Sequence, residues 1–261
     1  MSKSARIDSA IILAAGRGSR LSEHGETHAK AMIELVGETI IQYQIRALHA
    51  AGISRIVVVT GFKAAELKAH LPEGVETINN KDFATTNSLY SLMLAKDVLR
   101  DGSLVLNSDV IFHFDLLMKL LNSAAPSGIL VDYERALADE EMKVVVARNV
   151  VKQISKALVP APGMGENVGI IKVARRHAEE FIAAAQDQLR EGVMAWAPAV
   201  IDRLVGTVPF HATPVGGLPW TEIDFPVDLS HARLNIYPLC KNTPEKKTPA
   251  SAKRAQYGAA I

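Results

Sequence analysis

The sequence predicts an α/β fold: a Rossmann-like, mostly parallel central sheet flanked by helices, with a smaller mixed β region attached. Three observations carry this expectation. Apolar runs at residues 11–13, 56–59 and 102–106 each end in turn residues, as buried strands do. Segments of helical periodicity separate them, and strand alternating with helix in this rhythm requires crossover connections and parallel pairing. From residue 127 to 173 the texture changes to shorter strands broken by turns.

Composition bounds the function. A chain of 261 residues, 48% hydrophobic, is ample for a buried core. The 29 basic and 28 acidic residues nearly cancel, so no global field argues for nucleic acid or an anionic membrane as a partner. The single cysteine, Cys240, excludes an internal disulfide and a cysteine zinc site and suits a reducing cytoplasm. The apolar piece at 10–15 is too short for a signal sequence or a membrane span. The expectation is a cytoplasmic protein with one domain over residues 1–239 and a basic, flexible tail over 240–261.

Residues 1–7 are polar and expected to fray. The strand Ile11-Ile12-Leu13 then empties into Ala14-Ala15-Gly16-Arg17-Gly18-Ser19. Gly16 and Gly18 lack the Cβ atoms that would keep a phosphate from main-chain N–H groups, and Arg17, Arg20 and Lys30 can bring positive charge to the same place. This reads as a polyphosphate cradle. A dinucleotide fingerprint would need a third small residue where Leu21 stands, and a P-loop would need Gly-Lys-Ser/Thr, which is absent. His24 and His28 share the following loop, but an imidazole metal site needs more ligands.

The run Leu13 to Leu21, with Lys30 and then Val36-Gly37-Glu38-Thr39-Ile40, closely resembles the superfamily of sugar-phosphate and choline-phosphate nucleotidyltransferases, the GT-A-like NTP transferases. Ala29 stands where that family usually has proline. The resemblance implies the nucleotidyltransferase fold, with residues of about 8–126 binding the nucleotide and 127–239 binding an acceptor. It also implies catalytic roles for Arg20 and Lys30.

Further along, Ile41, Ile45, Leu48 and Gly52 recur at helical spacing, which predicts a helix from Thr39 to about Gly52. A short helix begins at residues 62–66 and stops before Pro72 and Gly74. Asn79, Asn80, Thr85, Thr86, Asn87 and Ser88 crowd short polar side chains before a helix carrying Leu89, Leu92 and Met93. Capping uses one of them, and the excess can read the edge of a nucleobase. The pattern Asn79, Thr86-Asn87, Ser91-Leu92 resembles the choline-phosphate cytidylyltransferase branch, which favours CTP.

The third strand delivers Asn107-Ser108-Asp109 at its carboxyl end, where open α/β sheets bind ligands. An acid there is often only a helix cap, but with the cradle upstream Asp109 reads as a Mg²⁺ ligand. His113, Leu116, Leu117 and Leu120 suggest a covering helix. Residues 139–144, 154–156 and 165–170 again resemble the cytidylyltransferase branch, and by that resemblance Lys156 faces the acceptor phosphate, with Glu166 on the same side. Lys143, Lys152 and Lys172 receive less weight, because a lone lysine on a strand is usually solvated. Phe181, Ile182, Ala185 and Leu189 make an amphipathic helix. Tyr133 and Trp196 are candidate aromatic walls of the acceptor pocket, where a trimethylammonium group would ask for a cage.

Finally, Trp220-Thr221-Glu222-Ile223-Asp224 and Asp228-Leu229 match a pattern specific to the same superfamily. A strand would bring Glu222 and Asp224 to one face. By the resemblance Asp224 meets Asp109 at the metal, and Glu222 lies toward the acceptor. The implied activity is Mg²⁺-dependent transfer of a nucleotidyl group from CTP to a small phosphorylated or phosphonylated acceptor, of the phosphocholine, phosphoethanolamine or aminoalkylphosphonate type. The partners are then an NTP and a small metabolite, with a homo-oligomer possible. The rivals are a sugar-1-phosphate uridylyl-, thymidylyl- or guanylyltransferase, a nucleotide-sensing module without turnover and, more distantly, an NAD-binding protein.

Overall fold

The structure, a computed structural model, describes residues 7–21 and 29–242. The His24/His28 loop and the basic tail from residue 243 on lie outside the described residues. Four strands, β1 (Ser9–Ala14), β2 (Arg55–Thr60), β3 (Glu76–Asn79) and β4 (Ser103–Asn107), pair in parallel in the order β3-β2-β1-β4. The helices that cross between them are α1 (Ile40–Ala50), α2 (Ala64–Ala69), α3 (Ser88–Leu94) and α4 (Lys96–Arg100). Thr39 opens α1 with a reciprocal capping box to Gln42, and the chain leaves it through Gly52 at φ 86°.

After β4 come a short strand β5 (Val110–Phe112), helix α5 (Phe114–Asn122) and β6 (Gly128–Asp132). The hairpin of β7 (Lys143–Ala147) and β8 (Val150–Ser155) follows, and then the nine-residue β9 (Gly165–Val173). Strand β9 runs antiparallel between β4 and β6 and joins the parallel half to an antiparallel-rich half in one nine-stranded sheet. Helix α6 (Ala178–Glu191) and α7 (Val200–Arg203) lead to β10 (His211–Pro214) and to β11 (Trp220–Glu222), which pairs with β5 in a separate ribbon. Helix α8 (Pro226–His231), a π turn (Ala232–Ile236) and α9 (Tyr237–Cys240) close the described chain.

Alternating strand residues feed two cores on opposite faces of the sheet, Ile12, Leu104 and Leu106 on one and Ile11, Val57 and Val105 on the other. The expected elements are present, and among the strands β3, β5 and β10 are additions. Each of the three is only three or four residues long, too short to show a period. Two lysines also differ from expectation. Lys143 is fully buried, its ammonium donating to the carbonyls of Ala138, Asp139 and Glu141, and Lys172 is buried with its ammonium on the Ser123 carbonyl. Main-chain oxygens replace water around both charges. Among the described residues no helix is long and apolar enough to cross a membrane.

Candidate active site

A cleft of about 340 Å³ opens along the carboxyl ends of β1 and β4 and extends across to the antiparallel half. The turn after β1 forms one wall. Leu13, Ala15, Gly16, Gly18, Ser19 and Arg20 line it, while Ala14 turns into the core because neighbouring strand residues face opposite ways. Gly18 is needed for two reasons: its φ is +64°, and a Cβ there would sit 2.9 Å from Cβ of Lys30. The loop therefore packs its glycine on the lysine stem. Arg17 does not line the cleft. Its guanidinium stands over the rings of Phe62 and Phe83, 5.8 and 5.3 Å from their centroids, which draws its charge to the rim.

The charged floor is built by pairing that the sequence does not display. Strand β11 lies antiparallel to β5 with Glu222 opposite Val110, and Ile223 N donates to the Asp109 carbonyl at 3.0 Å. Asp109 and Asp224, distant in sequence, thus flank one ladder end. Buried Gln44 on α1 fixes the Asp109 turn from below, its Nε2 donating to the carbonyls of Asn107 (2.8 Å) and Val110 (2.9 Å). Asp228 fixes the other side by accepting from the backbone N of Asp224 and Phe225. Lys30 Nζ donates to Asp109 Oδ2 at 2.7 Å and to Asp224 Oδ1 at 2.5 Å. Arg20 lies outside this pair, 3.2 Å from Glu140 and 4.0 Å from Asp224.

Asp109, Glu222 and Asp224 offer oxygens within 4.8 Å of one another. Asp109 Oδ1 is buried with no hydrogen-bond partner among the described residues. An all-carboxylate donor set with an unused buried oxygen fits a hard divalent cation such as Mg²⁺. Burial first, and then the charges of Asp109 and Asp224, push the Glu222 carboxyl above the usual range, although Lys30 and Lys156 oppose this. Burial alone would lower Lys30, but the two aspartates overcome it and hold the ammonium above the ordinary lysine range. Glu222, expected toward the acceptor, stands with the metal-type carboxylates, because it and Asp224 share the end of the β11 ladder.

The polar wall beyond β3 shifts by one residue from the expectation. Asn79 points outward, and buried Asn80 lines the cleft, donating to Thr86 Oγ1 (3.1 Å) and Ser91 Oγ (3.0 Å). Thr86, Asn87 and Ser88 line it as expected. Asn87 also caps α3, and the Ser88 hydroxyl accepts from Ala197 N at 2.8 Å, which docks the 193–199 loop and its Trp196 onto the cleft.

On the antiparallel half, Lys156 and Trp196 line the cleft, with Nζ 4.6 Å from the indole centroid. Tyr133 and Glu166 do not. Tyr133 packs beside Gly165 and lines a separate shallow depression with Arg135 and Pro160. Glu166 is buried beside Arg135 and Asp132, and burial raises its carboxyl to about 7. Its neighbour Asn167 faces the cleft instead. Adjacent residues of β9 face opposite sides of the sheet, so only one of this pair can face the cleft. The same buried group pins β11: Trp220 Nε1 donates to Asp132 Oδ2 at 2.6 Å, and the Arg135 guanidinium stacks 4.1 Å over the indole.

Further lining residues not nominated from the sequence are Phe83, Asn107, Ser108, Glu140, Met142 and Pro198. Asn107 could have been found, since it lies two residues before Asp109 at a strand end, and Gly169 at φ +84° leaves room for its amide. Glu140 and Met142 lie in the 139–144 stretch that resembles the cytidylyltransferase branch, but nothing in that stretch singles them out.

Residues 10–188 match the family described as "MobA-like NTP transferase domain". The chain is 30% identical over 193 residues to CTP:phosphoglutamine cytidylyltransferase of Campylobacter jejuni, covering 67% of this chain and 76% of that protein. It is 28% identical over 251 residues to CMP-5'-(3-aminopropyl)phosphonate synthase of Streptomyces rubellomurinus, covering 88% of this chain but 39% of the relative. The inositol-1-phosphate CTP transferase structure from T. maritima superposes with a TM-score of 0.77 at 19% identity, covering 92% of this chain and 98% of that one. That likeness speaks to the fold alone.

Proposed function

The chain belongs to the MobA-like NTP transferase family and is a nucleotidyltransferase, and from that premise we propose that it is a Mg²⁺-dependent cytidylyltransferase acting on a small phosphorylated or phosphonylated acceptor. The observation that carries this reading is the convergence of the glycine turn, Lys30, Asp109 and Asp224 on one cleft. CTP is favoured because the relatives named above include a CTP:phosphoglutamine cytidylyltransferase and a CMP-aminopropylphosphonate synthase. The polar wall of Asn80, Thr86, Asn87, Ser88 and Ser91 offers the paired donors and acceptors that a pyrimidine edge requires.

In this reaction an acceptor oxygen attacks the α-phosphorus of the nucleotide and pyrophosphate leaves in line. Both reactants are anions, so charge neutralisation and alignment supply most of the catalysis. The N–H groups of the glycine turn and Arg20 hold the triphosphate. Lys30 bears on the transferring group, and Lys156 draws the acceptor phosphate or phosphonate across the cleft. Asp109 and Asp224, with Glu222 beside them, would hold the metal. When bound, Mg²⁺ supplies Lewis-acid neutralisation of charge on the phosphate oxygens. No protein base is required, because the acceptor oxygen is ionised at neutral pH.

The test is pyrophosphate release across four NTPs and a panel of phosphorylated and phosphonylated acceptors, with Mg²⁺ present and then chelated. The expected result is turnover with CTP and a small amino-bearing acceptor, abolished by chelation. Turnover with UTP, dTTP or GTP and a sugar 1-phosphate would replace this reading with a sugar nucleotidyltransferase. CTP binding without release for any acceptor would point to a sensing module.

A further inference from the structure

We propose that Lys30 is a resident counter-ion that occupies the divalent-cation position and must be drawn away by the triphosphate, so that metal and nucleotide bind as a coupled pair. This rests on the reading of Asp109, Glu222 and Asp224 as metal ligands. The ammonium donates to one oxygen of each aspartate, at 2.7 and 2.5 Å, and so bridges the two carboxylates where a shared cation would bridge them. A Mg²⁺ ion bound at about 2.0–2.1 Å from those same oxygens would occupy the same space and repel the ammonium. The two cations exclude each other.

The lysine is placed to move. Its side chain is 12% exposed, and its stem runs directly beneath the glycine turn, where a Cβ on Gly18 would come within 2.9 Å of Lys30 Cβ and 3.2 Å of Cγ. Rotation of the outer bonds of a flexible four-carbon stem shifts the ammonium from the carboxylates toward that turn without moving the backbone. A triphosphate seated on the turn offers the replacement anion. Arg20 does not compete for the position, because it pairs with Glu140 at 3.2 Å and stands 4.0 Å from Asp224. Oδ1 of Asp109, which has no hydrogen-bond partner among the described residues, is a coordination point that Lys30 does not use, so vacating the position opens a fuller oxygen set. By linkage, whatever removes Lys30 tightens metal binding, and metal tightens nucleotide binding by the same factor.

The experiment measures Mn²⁺ binding by electron paramagnetic resonance without nucleotide, for the wild-type chain, Lys30→Met, Lys30→Gln and the double variant Lys30→Met/Asp109→Asn. Both single variants should bind one Mn²⁺ about tenfold or more tightly than the wild type, within the usual range of coupling between sites, and the double variant should lose that gain. Equal affinity in wild type and both single variants would overturn the counter-ion role and leave the carboxylate site standing. Absence of bound Mn²⁺ in every protein, with CTP added as well, would overturn the metal reading and this proposal with it.

Discussion

The two halves of the sheet carry the cleft in different ways. In the parallel half, functional groups sit past the carboxyl ends of strands: the glycine turn after β1 and Asp109 after β4. Crossover topology sends all such ends to one edge, so a polar residue following an apolar run is brought to that edge. In the antiparallel half the groups come from within strands, as with Asn167 in β9, or from loops between them, as with Lys156 and Trp196. The side of the sheet a strand residue faces depends on its parity, and β9, buried along its whole length, displays no alternation from which to read it. Strand ends were therefore readable from sequence, while strand faces were not.

The sharpest way to break this contrast is at the best-read residue. Asp109→Asn should lower kcat for pyrophosphate release on the order of 10³-fold with little change in thermal unfolding, as expected for loss of an electrostatic stabiliser of the transition state. A rate near wild type would remove Asp109 from the chemistry.

Next in size is the shifted pair after β3. Asn80→Ala leaves the Thr86 and Ser91 hydroxyls without their donor and should raise the nucleotide KM about tenfold, consistent with loss of one or two buried hydrogen bonds. Asn79→Ala should leave that KM unchanged, and steady-state kinetics with varied CTP separates the two.

A smaller effect distinguishes the acceptor wall. Lys156→Ala should raise the acceptor KM about fivefold at constant nucleotide KM, in line with loss of one partly exposed charge contact. Tyr133→Ala, in the separate depression, should change neither.

Glu166→Gln should have the smallest effect on turnover and appear instead in stability. Its carboxyl titrates near 7 in the fold against an ordinary value of 4.5. Below 4.5 it is neutral in both states and costs nothing. As pH rises to 7 the unfolded chain ionises first, so the native state is penalised progressively, and fully above 7. The variant should match wild type at pH 4 and be more stable by on the order of 2 kcal/mol at pH 8 in urea unfolding. A changed acceptor KM instead would return Glu166 to the acceptor site.

Much of the molecule was legible for identifiable reasons. The apolar runs of β1, β2 and β4, the helical spacing of Ile41, Ile45 and Leu48 and the stripe of Phe181, Ile182 and Ala185 are local signals that tertiary context had no cause to override. Three of the misplaced residues share one cause. Ala14, Asn79 and Glu166 each lie one position from the residue that faces the cleft, Ala15, Asn80 and Asn167. Arg17 and Tyr133 were drawn aside by aromatic and glycine neighbours.

By itself the sequence determined the alternation of strands and helices, the glycine turn at the end of β1 and the chemical types gathered near the cleft, because these depend on neighbours within a few residues. Only the tertiary structure decided that β5 and β11 pair, that Glu222 joins Asp109 and Asp224, and that Lys30 bridges the two aspartates. The β5–β11 pairing and the Lys30 bridge join residues more than 70 positions apart through main-chain hydrogen bonds and a partly buried ion pair. Neither leaves a periodic trace in the order of side chains.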